Sequence, residues 1–476
     1  MHSSQRLIIV SNRAPADGLG AGGLAAALSD ALIGREAVWF GWSGEIHDDA
    51  AARPNRTRSF GDLNVTLMDL TEAERDGYYL GYSNRTLWPA LHYRLDLSQF
   101  EQDDLATYRA VNARFADRLA EEIRPGDLVW VHDYHLIPLA EELRKRGLRN
   151  PIGFFLHIPF PPGEIFGAIP GADALVSGLQ AYDLVGFQSD RDRANFERLC
   201  LSRGAVHTPD GRLAAKGRLT RARAYPIGID AKAFRTLAER AEPARALAAE
   251  GVKAMIGVDR MDYSKGLPER MAGIGAFFDA HPEACGTVSL VQITPTSRAD
   301  LPAYADLRRE LDEAVGHVNG RHGRVDWTPV HYLARGLERD QLAGLFRRAA
   351  IGLVTPLRDG MNLVAKEYVA AQDPEDPGVL ILSEFAGAAE QMPDALLVNP
   401  HDSETMSDAI WQALNMPLDE RKRRHAALWD VVDQFDAAWW SRRFESDLKG
   451  FETTERAERG RVAAALSAFA GAGAGR

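Results

Sequence analysis

Short apolar runs alternate along the chain with stretches in which apolar positions recur every three or four residues. The runs Leu7–Ser11, Ala37–Phe40, Leu128–Val131, Ile152–Leu156 and Leu184–Phe187 read as strands. The series resumes after about residue 240 with Ala254–Val258, Val288–Ile293, Ile351–Val354, Val379–Leu382 and Leu396–Val398. Several of these runs are apolar at every position, as strands covered by helices on both faces must be. Helical spacing is clear in Leu136–Arg146, Leu267–Phe278 and Asp340–Arg348. Strand and helix in alternation predict an α/β chain built on doubly wound parallel sheets.

The Ala/Glu-rich helical stretch Phe234–Gly251 separates the two series. It predicts a first Rossmann-like domain over residues 1–240 and a second over 241–429. A chain of 476 residues is too long for one ordinary core, and two of roughly 200 residues each is the natural division. Ligands of open α/β sheets bind beyond the carboxyl ends of the strands. Two such domains facing each other would enclose a cleft. The small-residue-rich tail, residues 452–476, reads as flexible.

Composition changes this picture little but narrows the partners. The formal net charge of −11 argues against nucleic acid or an anionic membrane as a bulk partner. It says nothing against small anionic substrates held by local arginines. No apolar run reaches the roughly 18 residues of a membrane span, and the first hydrophobic run is too short for a signal-peptide core. The two cysteines, Cys200 and Cys285, match no metal or redox spacing and suit a reducing cytoplasm. Homo-oligomerisation is left open.

The motifs fall where the strands end. SNRAP (Ser11–Pro15) follows the first strand, and AGGLAAAL (Ala21–Leu28) sets Gly22 and Gly23 before a helix. Backbone amides at such a helix start can hold phosphate, although a glycine pair there is also a plain turn. WFGWSG (Trp39–Gly44) and YYLGYSNRTLWP (Tyr78–Pro89) are rich in aromatics. Trp39 and Phe40 read as core. Trp42, Tyr79 and Trp88 lie among Gly, Ser, Asn and Pro, in surroundings that read as loop, and aromatic faces there suit the apolar face of a pyranose. WVHDYH (Trp130–His135) ends a strand. A metal site on His132, Asp133 and His135 lacks the spacing of zinc-protease motifs, and Asp133 could serve as a helix N-cap. His157, in FFLHIPFPP, stands at a strand end before a proline-rich loop, where a lone histidine is more often a structural hydrogen-bonder than a catalyst.

The second half carries more chemistry. VDRMDYSKGLPER sets Arg260 and Lys265 about the first strand-to-helix turn of the second domain. Two cations at a helix start suit a diphosphate, charge and backbone dipole acting together. Arg298 lies in another strand-end loop, ITPTSR. LRDGMNLVAKE reads as strand, turn and helix, with Asp359 before Gly360 and Glu367 about two turns into the helix. Asp190 and Asp192 in SDRDR match a metal-binding DxD arithmetically, but Ser189 before them reads as the cap of a helix start.

Taken in order and at their spacing, SNRAP, GGLAAAL, WFGWSG, YSNRTLWPALHYR, VHDYHL, GFFLHIPFPP, YPIGID, RMDYSKGLPER, ITPTSR and LRDGMNLVAKEY make a chain that resembles the bacterial trehalose-6-phosphate synthases of glycosyltransferase family 20, from about Arg6 to Lys449. The stretches Val206–Leu219 and beyond Gly450 are less family-like. The resemblance implies the glycosyltransferase B arrangement of two Rossmann-like domains, with the final helix, residues 430–451, crossing back to the first. It implies retaining, metal-independent transfer from a nucleoside diphosphate glucose to glucose 6-phosphate, with no cofactor. Arg13, Trp42, Tyr79, Trp88, Asp133 and Arg298 match the family's glucose 6-phosphate positions. Gly22, Gly23, Arg260, Lys265, Leu337, Leu363 and Glu367 match its nucleotide positions, the match at Leu337 being looser and concerning backbone. His157 and Asp359 match the residues that hold the transferred glucose.

Residue chemistry agrees with this division. Arginine forks grip phosphate monoesters, which suits Arg13 and Arg298. Arg260 and Lys265 can meet the charge that builds on a departing diphosphate, replacing the cation other transferases use. Three rival readings remain. A glycerol 3-phosphate acceptor is disfavoured by the aromatic set. Phosphorylase-like chemistry would need a pyridoxal phosphate lysine, and no signature for one is visible. A non-catalytic sugar-phosphate sensor is disfavoured by the intact Arg260, Lys265 and Asp359. The motifs do not distinguish a uracil from a guanine donor.

Overall fold

Strand β1 (Leu7–Arg13) is apolar and buried over most of its length and lies inside a ten-stranded sheet. The computed structural model describes residues 5–15, 28, 32, 36–241, 251–296 and 302–451. These fall into two units, divided at Tyr225/Pro226 and again at Trp440/Ser441.

In the first unit β2 (Ala37–Ile46) and β5 (Leu128–His132) flank β1, both parallel to it. Beyond β2 lie β4 (Leu63–Leu70) and the edge strand β3 (Arg56–Phe60). Beyond β5 lie β6 (Ile152–Phe155), β7 (Leu184–Phe187), β10 (Arg218–Ala224), β9 (Leu213–Ala215) and β8 (Val206–His207). The strand order therefore reverses between β1 and β5, the place where doubly wound sheets open a crevice at their carboxyl ends. The strands absent from the sequence reading, β3, β4 and β8 to β10, lie toward the two ends of the sheet. β3 is exposed along nearly its whole length, so it carries no continuous apolar run.

The second unit has six strands, all parallel: β11 (Lys253–Val258), β12 (Val288–Ile293), β13 (Val330–Leu333), β14 (Ile351–Val354), β15 (Val379–Ser383) and β16 (Leu396–Val398). Their order, β13-β12-β11-β14-β15-β16, reverses between β11 and β14. The helix Ala231–Arg240, which the sequence reading leaves with the first half, packs here on the helices Arg339–Arg348 and Leu363–Ala371. Arg270 is fully buried beneath the sheet's open end. It donates to Asp259 Oδ2 (2.6 Å), Gln292 Oε1 (2.9 Å) and Thr355 Oγ1 (2.9 Å), which ties the ends of β11, β12 and β14 together. A buried charge needs this degree of satisfaction, and losing one partner typically costs about 3–5 kcal/mol.

The stretch 430–451, expected as one helix, is two. The helix Leu418–Gln434 ends before Phe435, and helix resumes over residues 437–451. Asp436 accepts from Trp439 N and so caps a new start. From Ser441 onward the chain belongs to the first unit. There Phe444 stacks on Trp130, with ring centroids 4.5 Å apart and planes at 10°. A Cβ on Gly153 or Gly186 would press into the Phe444 ring at 2.7 or 2.8 Å, so the glycines of β6 and β7 make the groove it fills. Asp447 accepts from Tyr225 Oη and pairs with Arg223, which fixes the same stretch by polar contacts. Among the described residues no helix is long and apolar enough to cross a membrane. Cys200 and Cys285 are both unbridged.

Candidate active site

Each sheet carries several of its candidate residues at the point where its strand order reverses. In the first unit the end of β1 presents Arg13, exposed to solvent, beside Trp42 of β2. The Arg13 guanidinium lies 5.3 Å from the Trp42 ring centre. It also lies against Gly44, whose φ of +91° is open to glycine and where a Cβ would overlap Arg13 Nη2. The Trp42 ring meets Tyr79 edge-on at 5.6 Å, and Tyr79 stacks on His135 at 5.9 Å. Trp88 packs on His92 and Tyr134.

The loop surroundings expected for the three aromatics are not what the structure has. Trp42 is on β2, Tyr79 on a π-helix, Arg75–Leu87, and Trp88 opens the short helix Trp88–Leu91. A capping box between Thr71 and Glu74 starts this helical region, and Pro89 suits a first helical turn, where no N–H is needed. Trp42 and Trp88 are only 4% and 6% exposed, which leaves each a narrow edge for a ligand. Trp39 and Phe40 are core, as expected.

Asp133 follows β5 with φ of 74° and ψ of 166°, outside the regions non-glycine residues favour. Strain of this kind costs about 1–3 kcal/mol and gathers at functional turns. Asp133 is the N-cap residue of the following turn, its carbonyl accepting from Leu136 N (3.1 Å), but its carboxylate makes no cap bond there and instead accepts from His157 N (3.2 Å), while its own N–H donates to Phe155 O (2.8 Å). His157 Nε2 lies 3.1 Å from Nδ1 of the buried His132. Burial pushes His132 well below the ordinary histidine range and His157 down to about 3, so both imidazoles are neutral at physiological pH.

In the second unit the turns after β11 and β14, neighbours in the sheet, interlock. Leu357 N donates to Ser264 O (2.8 Å), and Lys265 Nζ donates to Asp359 Oδ2 (2.5 Å). Asn362, at φ of 87°, donates to the same Asp359 oxygen (3.1 Å), and its side chain caps the helix Leu363–Ala371. This turn, like that of Asp133, is a strained non-glycine position after a strand at the reversal point. Arg260 is exposed, next to Asp259 of the Arg270 network. Lys265 immediately precedes Gly266, the N-cap of the helix Leu267–Ala280. Glu367 is one turn into its helix rather than two, because that helix begins at Leu363, and the two share a face. Burial pushes the Glu367 carboxyl up to about 7 against the nearby Arg339. Leu337 lies in the loop between β13 and the helix Arg339–Arg348, partly exposed. Gly22, Gly23 and Arg298 lie outside the described residues.

The DxD match at Asp190 and Asp192 is a helix cap. Ser189 Oγ accepts from Asp192 N (3.1 Å), and the Asp192 carboxylate accepts from Phe160 N (3.0 Å) and Ser189 Oγ (2.7 Å). Among the described residues, Glu45, His47 and Asp69 bring metal-ligand atoms within 4.8 Å of one another. Arg56 already bonds both carboxylates there, at 2.9 and 2.8 Å, so the cluster is an ion-pair network.

The model of glycosyltransferase family 20 matches residues 12–450. The chain belongs to glycosyltransferase family 20. It is 47% identical over 455 residues to the trehalose-6-phosphate synthase of Sinorhizobium fredii, covering 93% of this chain and 98% of that one. Among solved structures, trehalose-6-phosphate synthase from Escherichia coli bound with UDP-2-fluoro glucose is 45% identical, with a TM-score of 0.88 over 94% of this chain and 99% of that one. An α,α-trehalose-phosphate synthase (UDP-forming) from Burkholderia xenovorans in complex with glucose 6-phosphate is 44% identical, with a TM-score of 0.89 over 93% of this chain and all of that one. The protein is thus a glycosyltransferase of two Rossmann-like units.

In this family 20 enzyme several residues around the candidate set have no signal of their own in the sequence reading. Asn362 is one, although an Asn after Gly-Met at a helix start is a cap pattern. Arg270 and Asp259 are another pair, separated by 11 positions and joined only by folding. His132 and His135 stand in a motif whose spacing speaks only against a metal site, and nothing in it announces the contacts of His132 with His157 and of His135 with Tyr79.

Proposed function

We propose that this family 20 enzyme transfers glucose from UDP-glucose to glucose 6-phosphate, giving α,α-trehalose 6-phosphate with retention and without a metal. The observation that carries this reading is the Lys265–Asp359 pair at the reversal point of the second sheet. One turn supplies a cation for a departing phosphate, and the other supplies a carboxylate for sugar hydroxyls.

On this reading the second unit holds the donor. Arg260 and Lys265 meet the diphosphate, Glu367 accepts from the ribose hydroxyls, and Leu363 and Leu337 line the nucleotide. Asp359 and His157 hold the transferred glucose. The first unit holds the acceptor, with Arg13 and Arg298 on its phosphate, Trp42, Tyr79 and Trp88 about its ring, and Asp133 on its hydroxyls. Gly22 and Gly23 offer backbone amides to the donor.

The bond between the anomeric carbon and the β-phosphate oxygen lengthens first, and negative charge builds on UDP. Fixed cations already in place stabilise that charge without reorganisation. The anomeric hydroxyl of glucose 6-phosphate joins the carbon from the same face and passes its proton to the departing phosphate oxygen. UDP leaves, and no enzyme nucleophile takes part. The absence of a DxD in a ligand-like setting and the presence of Arg260 and Lys265 support metal independence. UDP release measured with UDP-glucose or GDP-glucose, against glucose 6-phosphate or glycerol 3-phosphate, tests the substrates. Turnover confined to the UDP-glucose and glucose 6-phosphate pair is expected; a preference for glycerol 3-phosphate or for GDP-glucose overturns the assignment.

A further inference from the structure

His132 ends β5 fully buried, and His157 follows β6, the neighbouring strand. The strand register sets His132 opposite Phe155, two residues before His157. That stagger brings His132 Nδ1 to 3.1 Å from His157 Nε2. Asp133, the next residue, grips the backbone N–H of His157. The loop carrying His157 is therefore held at its main chain by one residue and at its ring by the residue before it.

We propose that His132 is a positioning residue for His157, fixing its ring orientation and coupling its tautomer to that of His132 through the Nδ1–Nε2 hydrogen bond. Between two neutral imidazoles one nitrogen must donate and the other accept. When His132 Nδ1 carries the proton, His157 Nε2 accepts it and the His157 proton sits on Nδ1. When His157 Nε2 carries the proton, His157 Nδ1 is an acceptor. The two tautomers are thereby coupled, and the one His132 adopts is matched by a proton or a lone pair on the other nitrogen of His157, facing a sugar hydroxyl. Second-layer partners of this kind commonly set ligand orientation. Burial keeps both rings neutral, so the contact joins an N–H to a lone pair instead of setting two N–H groups face to face.

This inference rests on the reading of His157 as a glucose-holding residue. The test compares three substitutions of His132, each in wild-type and His157→Ala backgrounds, by kcat, KM for each substrate and melting temperature. The amide of His132→Asn falls near the place of Nδ1, that of His132→Gln nearer Nε2, and His132→Leu removes both. We expect kcat to fall about ten- to a hundredfold in His132→Leu and His132→Gln, and by less than about threefold in His132→Asn. In the His157→Ala background His132→Leu should cost less than about twofold more. A full multiplicative loss in that background, or an Asn variant as impaired as the Gln variant, overturns the proposal. Should His132→Leu fail to fold, the Asn and Gln variants decide alone. If His157→Ala turns over like the wild type, the reading of His157 has failed. If His157→Ala is impaired while His132→Gln is not, only the positioning role has failed.

Discussion

Lys265 and Asp359, separated by 94 positions in sequence, meet in a 2.5 Å ion pair because the two strands that end before them, β11 and β14, are neighbours at the reversal point of the second sheet. On the proposed reading, donor binding brings the diphosphate to Lys265 as a second anion, in competition with Asp359 for the ammonium.

Replacing the two partners should therefore have opposite effects on nucleotide affinity. Lys265→Ala should weaken UDP binding and lower kcat by about 10²–10³, roughly 3–4 kcal/mol of transition-state stabilisation. Asp359→Asn leaves the ammonium available to phosphate, so UDP affinity should hold or rise while kcat falls. Calorimetric UDP titration beside steady-state kinetics separates the two; parallel loss of UDP affinity would show that the pair does not face the nucleotide.

Donor affinity should depend on pH through Glu367. Burial raises its carboxyl to about 7 in the unliganded protein. On the proposed reading ribose hydroxyls donate to the ionised form, so binding expels a proton below that pH. Affinity for UDP-glucose should rise by up to about tenfold per pH unit below 7 and level off above it. Glu367→Gln should bind more weakly and without this slope. The diphosphate diester of UDP-glucose does not titrate in this range, so a slope that persists in the variant would place the titrating group elsewhere.

Gly44 should matter to the acceptor through Arg13. A Cβ at Gly44 meets a positive φ and overlaps the Arg13 guanidinium. Gly44→Ala and Arg13→Ala should both raise KM for glucose 6-phosphate, by about tenfold or more, and narrow the preference over glucose. UDP affinity should be unchanged in both. Equal kinetic constants with only a lower melting temperature would assign the pair a structural role.

The final helix should stabilise the first unit chiefly through one ring. Phe444 fills the groove over Gly153 and Gly186 and stacks on Trp130. Phe444→Ala should cost about 3–5 kcal/mol in denaturant unfolding. A loss under about 1 kcal/mol would mean that the groove collapses around the missing ring.

The sequence pattern carries the buried sheet well and its edges poorly. The runs Leu184–Phe187, Val288–Ile293 and Ile351–Val354 coincide with β7, β12 and β14, interior parallel strands buried on both faces, and Leu396–Val398 coincides with the edge strand β16, whose apolar residues include the exposed Leu397. β3 and β13 are edge strands with polar, partly exposed faces and leave no such trace. Motif composition misplaced the aromatics, since Gly, Ser and Asn around Tyr79 belong to a π-helix, whose register no simple spacing announces. What no single stretch of sequence states is pairing at a distance. Lys265 with Asp359, Arg270 with Asp259 and His132 with His157 each need the strand order before they become neighbours.

The measurement closest to the central claim is a proton NMR spectrum of the product formed from UDP-glucose and glucose 6-phosphate in excess EDTA, with UDP release followed in the same tube. The account predicts one disaccharide phosphate with both anomeric protons in the α configuration, formed one for one with UDP and undiminished by the chelator. A β anomeric signal would contradict retention, loss of turnover restored by magnesium would contradict metal independence, and UDP release without a disaccharide would contradict the transfer itself.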